Sequence, residues 1–83
     1  MVYQLVVARK AQKDLSKLDN VYRSRATVAL AVLSNDPYRG KKLKGDHKKE
    51  FAYRVWPYRI IYRVKEKERV VLIIRIGHRQ SVY

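Results

Sequence analysis

Residues 51–76 read FAYRVWPYRIIYRVKEKERVVLIIRI, and the way this stretch folds decides the architecture of the chain. Phe51, Tyr53 and Val55 alternate with Ala52, Arg54 and Trp56, the period of a strand with one face buried, and Pro57 marks a tight connection. A second strand over 58–64 sends Tyr58, Ile60, Tyr62 and Val64 one way and Arg59, Ile61 and Arg63 the other. The charged turn KEKE then returns the chain into VVLIIRI, where Val70, Leu72, Ile74 and Ile76 oppose Val71, Ile73 and Arg75. The product is a three-stranded meander with an expected core of Phe51, Tyr53, Val55, Ile60, Tyr62, Leu72 and Ile74.

Upstream, residues 2–7 (VYQLVV) have strand composition. Ala8, Ala11, Leu15 and Leu18 fall on one stripe of a helix near 8–18. Asp19-Asn20 can cap a second helix, whose apolar positions Tyr22, Ala26, Ala29, Leu30 and Leu33 run until Ser34-Asn35-Asp36-Pro37 stops it. Residues 37–49, PYRGKKLKGDHKK, are expected to be a loop, by their proline, two glycines and charges. Two helices cannot cover both sides of a sheet, so one sheet face meets solvent or a ligand. The expectation is an α+β fold in the order β-α-α-β-β-β. Two N-terminal helices pack on one face of a small, mostly antiparallel four-stranded sheet, and residues 1–83 form a single domain.

Charge narrows the function. Twenty Lys and Arg against seven Asp and Glu give a formal charge of +13 and a pI near 10.4, the footprint of a polyanion ligand, an acidic partner, or both. The absence of cysteine removes disulfides and thiolate metal sites and fits a reducing cytoplasm. No apolar run reaches the ~20 residues of a membrane span, and no basic segment precedes the first strand as in a signal peptide, so neither export nor insertion is expected.

The uncovered sheet face collects Arg54, Trp56, Arg59, Arg63 and Arg75, with His78 and Arg79 just beyond in the closing stretch IGHRQSVY. Guanidinium forks match phosphate oxygens and stay charged at any working pH, and Trp56 can stack on an unpaired base. For Arg63 and Lys65 the alternative is a solvated outer strand. His78, with an ordinary pKa of ~6.5, can move a proton, whereas Tyr83 needs cationic neighbours before it acts as a base; His47 has no partner in sequence. Two histidines, scattered acids and no cysteine make no metal constellation, and Gly40, Gly45 and Gly77 form no phosphate-binding fingerprint. No cofactor is expected. The chemistry left for a metal-free enzyme is attack by the 2′-hydroxyl of RNA on its neighbouring phosphodiester, with arginines stabilising the phosphorane.

This order of elements, with KLKG, YRIIYRV and the ending IGHRxxVY, resembles the RelE branch of the RelE/ParE toxin superfamily over essentially the whole chain. The resemblance implies the toxin of a type II toxin–antitoxin system: an endoribonuclease cutting messenger RNA in the ribosomal A site and silenced by a cognate acidic antitoxin. Position by position, it implies that Arg59 contacts the scissile phosphate and that Arg54 is the basic residue of the preceding strand. Arg79 corresponds to a C-terminal catalytic arginine, Tyr83 to a tyrosine that orients the nucleotide, and His78 to a position held by lysine or histidine. Lys41, Lys42 and Lys44 match a basic loop that leans on ribosomal RNA, and there only the charge transfers. Ala52 departs from relatives that carry a second lysine there, which removes a proton-transfer or electrostatic contributor worth ~10² to 10⁴-fold. The ParE branch shares this fold and inhibits DNA gyrase, so gyrase inhibition without nuclease activity stands as an alternative, as does a non-catalytic RNA-binding module.

Overall fold

The computed structural model describes residues 2–43 and 49–78. Strand β1 (Gln4–Val7) leads into helices α1 (Arg9–Ser16) and α2 (Asn20–Asn35), followed by β2 (Lys41–Lys42), β3 (Glu50–Val55), β4 (Tyr58–Lys65) and β5 (Val70–His78). The strands form one sheet in the order β1-β5-β4-β3-β2. The meander β3–β4–β5 is antiparallel, as the alternation implied, while β1 runs parallel to β5, pairing Gln4 with Val70 through Val7 with Ile73. The sheet is therefore mixed. It has a fifth strand where a loop was expected, because Lys41 and Lys42 pair with Ala52 and Phe51 of β3; a two-residue ladder leaves no periodicity for a sequence to display.

The helices bury small residues against the sheet. Ala11 of α1 and Ala26, Ala29, Leu30 and Leu33 of α2 are buried, at the spacings read from the sequence. Alanine at two of the α2 positions and at the buried position of α1 leaves the core volume to the larger sheet side chains Tyr62, Ile60, Ile73, Ile76 and Val71. Asp19 does occupy the N-cap position of α2 in an extended conformation, but its side chain makes no capping hydrogen bond. The C-terminal end of α2 is tied to β1 instead: Tyr3 N–H donates to Ser34 O, and Ser34 Oγ donates to Tyr3 O.

The expected core of β5 was out of phase. Val71 and Ile73 are fully buried and Ile76 is 2% exposed, whereas Leu72 and Ile74 are only half-buried. The ladder gives the reason: Tyr62 faces Ile73 but Ile61 faces Arg75, so Ile74 is an extra residue and the alternation of β5 shifts by one across this bulge. In VVLII every residue is apolar, so the sequence carried no mark of either phase or bulge.

The outer edge of β5 is protected in two ways. β1 pairs with it through Ile73, and Ala8 N–H adds a bond to Ile73 O. Beyond that point the Asp14 carboxylate of α1 accepts from the Ile76 amide at 2.9 Å and from Arg75 Nε at 2.9 Å. A side chain replaces the strand that β1 is too short to provide. No helix among the described residues is long and apolar enough to cross a membrane.

Candidate functional site

In the β3–β4 hairpin Arg54 stands directly opposite Arg59. Their neighbours Tyr53, Val55, Ile60 and Tyr62 belong to or pack on the core beneath the helices, so the strand alternation sends both arginines to the other face. Like charges in register repel, by a few tenths to ~1 kcal/mol. A neighbouring segment compounds this. A concavity of about 470 Å³ beside the pair is lined by Arg39, Lys41, Arg54 and Arg59, together with Gly40, Leu43, Ala52 and Tyr53, so that among the described residues its lining holds no carboxylate. Lys41 lies opposite Ala52, so the adjacent strand offers a cation where residue 52 has none.

The cationic segment is anchored from below by Tyr62. Its hydroxyl, on a side chain with no exposed surface, donates to Pro37 O at 2.8 Å and accepts from Gly40 N–H at 3.0 Å. Burial pushes this phenol up to about 12, so it stays a neutral donor at any working pH. The approach is so close that a β-carbon at Gly40 would lie 2.5 Å from the Tyr62 oxygen and 2.9 Å from Ala52 O. Glycine is required here for space rather than for its dihedral freedom. The second tyrosine of YRIIY is thus a clamp that carries the chain from α2 into β2.

The other sequence-predicted residues do not all gather here. Trp56 is 57% exposed in the hairpin turn that follows Arg54, joined to Pro57 by a cis peptide bond. Lys42, one residue out of phase with Lys41, lines a separate concavity with Lys49 and Arg63. Arg63 pairs with Glu50 at 3.2 Å, and Arg75 is held by Asp14. Burial by itself would raise the Asp14 carboxyl; the hydrogen bonds from Arg75 and the Ile76 amide, with the charges of Arg75 and Lys17, outweigh it and hold the group below its ordinary 3.8. His78 is the register partner of Tyr58. Its ring packs edge-on against Tyr58, which in turn meets Tyr22 of α2, so the imidazole is on the helix side of the sheet, away from the Arg54–Arg59 pair. Lys44, Arg79 and Tyr83 lie outside the described residues.

Two contributors were missed in the sequence. Arg39 looked like one more charge in a basic loop, and Asp14 had no sequence signal, since its partner Arg75 is 61 residues away. A second, more apolar groove of about 440 Å³ runs between α2 and β3, lined by Val28, Val32 and Val55 and flanked by Arg25 and Arg54.

With this fold in hand, likeness to known proteins is informative. The family model for the ParE toxin of type II toxin–antitoxin systems, parDE, matches residues 5–83. The chain belongs to the ParE toxin family. This ParE-family chain is 32% identical over 85 residues to toxin RelG of Mycobacterium tuberculosis, covering all of the chain and 98% of that protein. It superposes with a TM-score of 0.84 on a chain of the toxin–antitoxin complex RelBE2 from M. tuberculosis, at 33% identity, covering 95% of this chain and 100% of that one. The isolated RelE toxin of Escherichia coli gives 0.81 at 25% identity, over 92% of this chain and 83% of that one. The α+β fold is that of the RelE toxins, and the chain is a toxin of the RelE/ParE superfamily.

Proposed function

We propose that this toxin is a ribosome-dependent endoribonuclease that cuts messenger RNA in the A site and so inhibits translation. The observation that carries the reading is the opposed pair Arg54–Arg59 on a concavity that Arg39 and Lys41 also line. A pentacoordinate phosphorane carries more negative charge than the diester it forms from. Guanidinium groups already in place stabilise that charge without reorganisation. In the proposed step the substrate's 2′-oxygen bonds to phosphorus and the bond to the 5′-oxygen breaks. The 2′-hydroxyl proton leaves to a base, the 5′-oxygen gains one, and a 2′,3′-cyclic phosphate remains. Arg54 and Arg59 hold the phosphate, and Arg79 is assigned to the same charge. Tyr83 orients the nucleotide, and Trp56 stacks on a base. His78 belongs to this reading as a proton carrier acting from the sheet end rather than from the concavity. Lys41, Lys42, Lys44 and Arg75 are assigned to RNA and ribosome contact. No step calls for a metal or cofactor.

The partner in this reading is an acidic antitoxin that folds on binding. Toxin–antitoxin complexes among the similar structures support it, as do the charge of +13 and the apolar groove at Val28, flanked by Arg25 and Arg54. Purified protein added to programmed ribosomes and to free message, followed by mapping of RNA ends, tests the activity. Cleavage confined to the ribosome sample is expected, and intact message in both samples would refute it. The ParE family model supports a second reading, gyrase inhibition without cleavage; a supercoiling assay with no inhibition at stoichiometric toxin removes it.

A further inference from the structure

We infer that Arg39 is a further phosphate-binding guanidinium of this site, and that Asp36 is its built-in competitor, occupying Arg39 until an RNA phosphate displaces it. The inference rests on the RNA-directed reading above and adds a residue and a control that the reading does not contain. Arg39 lines the concavity with Lys41, Arg54 and Arg59. It reaches that position on a turn that is fixed rather than loose: Tyr62 binds the chain on both sides of Arg39, at Pro37 O and Gly40 N–H, and Arg39 N–H donates to Asp36 O at 3.2 Å. The backbone is therefore positioned while the side chain stays in solvent.

That side chain has a weak hold on its counter-ion. Arg39 Nη1 lies 3.8 Å from Asp36 Oδ2, too far for a hydrogen bond, and the two side chains are 58% and 55% exposed. Such a pair contributes little, so the guanidinium donors remain available for the two parallel bonds that a phosphate accepts and that a carboxylate at this distance does not make. A phosphodiester entering the concavity also places negative charge between Arg39 and its cationic neighbours Lys41 and Arg54, whereas Asp36 pairs with Arg39 alone. Asp36 has a further reason to be tolerant of change. It ends α2, where the helix dipole disfavours an anion, so its neutralisation does not cost the helix stability.

The test is equilibrium binding of a fluorescein-labelled single-stranded RNA to the full chain, read by anisotropy over a salt series. Arg39→Ala is expected to weaken binding roughly three- to tenfold and to reduce the salt slope by about 0.7. Asp36→Asn is expected to tighten it roughly two- to threefold. Lys67→Ala and Glu68→Gln, exposed residues of the β4–β5 turn, report the same charge changes away from the site and should give smaller effects. In the Arg39→Ala background the gain from Asp36→Asn should fall to that of Glu68→Gln. Equal effects of Arg39→Ala and Lys67→Ala, or a gain from Asp36→Asn that survives without Arg39, would overturn the inference. Circular dichroism establishes that each variant is folded. Message cutting by the unaltered protein on programmed ribosomes judges the nuclease reading separately, so either can fail while the other stands.

Discussion

Replacing Tyr62 by Phe removes one oxygen and leaves the ring, which makes it a sharp probe of how the cationic segment is held. The lost hydroxyl serves two backbone groups, Pro37 O and Gly40 N–H. Pro37 is itself buried and Gly40 half-buried, so water reaches the vacated partners poorly. Each such hydrogen bond contributes about 1 kcal/mol net, and a buried group left unpaired costs about 1–3 kcal/mol. A loss of roughly 2–4 kcal/mol is expected, and for a domain of this size each kcal/mol lowers Tm by about 4–8 °C. Urea unfolding followed by circular dichroism measures it, with the midpoint falling and the slope m unchanged if the native and unfolded surfaces are otherwise the same. A second variant sharpens the reasoning. Gly40→Ala places a methyl 2.5 Å from the Tyr62 oxygen and 2.9 Å from Ala52 O, so it should destabilise the unaltered protein. With the oxygen gone it should cost less, though not nothing, because the Ala52 carbonyl remains. The double-mutant cycle should thus show coupling of at least ~0.5 kcal/mol. A Tyr62→Phe change within 0.5 kcal/mol of the parent, or strict additivity with Gly40→Ala, would refute the clamp.

Other predictions concern the edge of β5 and the arginine face. Asp14→Asn should lower stability at pH 7 by about 1–2 kcal/mol, since it weakens charge-assisted bonds to Arg75 and the Ile76 amide. Because the folded-state pKa of Asp14 lies below its ordinary 3.8, this contribution is present above that value and fades as pH falls through the folded pKa. The difference between parent and Asp14→Asn in urea midpoint should therefore shrink below pH ~3.8, and a constant gap would disprove the ion pair's part in it. Arg59→Ala and Arg79→Ala should each abolish detectable cutting on programmed ribosomes, and Arg54→Ala should slow it about 10² to 10³-fold, all with the circular dichroism of a folded chain; full rates would remove these residues from the site. His78→Ala should slow cutting less than Arg59→Ala does, since its ring packs on Tyr58 at the opposite face and serves the proton transfer only from the sheet end; an equal loss would place the imidazole at the concavity itself.

The sequence by itself determined the order of the helices and of every strand but β2, the antiparallel meander, the covered and uncovered faces of β4, and the prominence of Arg54 and Arg59. These rest on short-range regularities: alternation wherever polar and apolar residues are interleaved, and the stripe of Ala26, Ala29, Leu30 and Leu33 along α2. The resemblance carried by YRIIYRV and IGHRxxVY led to the right superfamily for the same reason, since its residues are close together in the chain. Only the tertiary structure decided the phase of β5, because a bulge at Ile74 within a uniformly apolar run is set by pairing with β4. It alone placed β1 beside β5, made Lys41 the neighbour of Ala52, and turned Tyr62, Gly40 and Arg39 into one unit. It alone gave Arg75 to Asp14 and put His78 on the helix side. Those outcomes depend on which strands lie side by side and on the space between them, and contacts between residues far apart in the chain leave no periodic mark in the sequence.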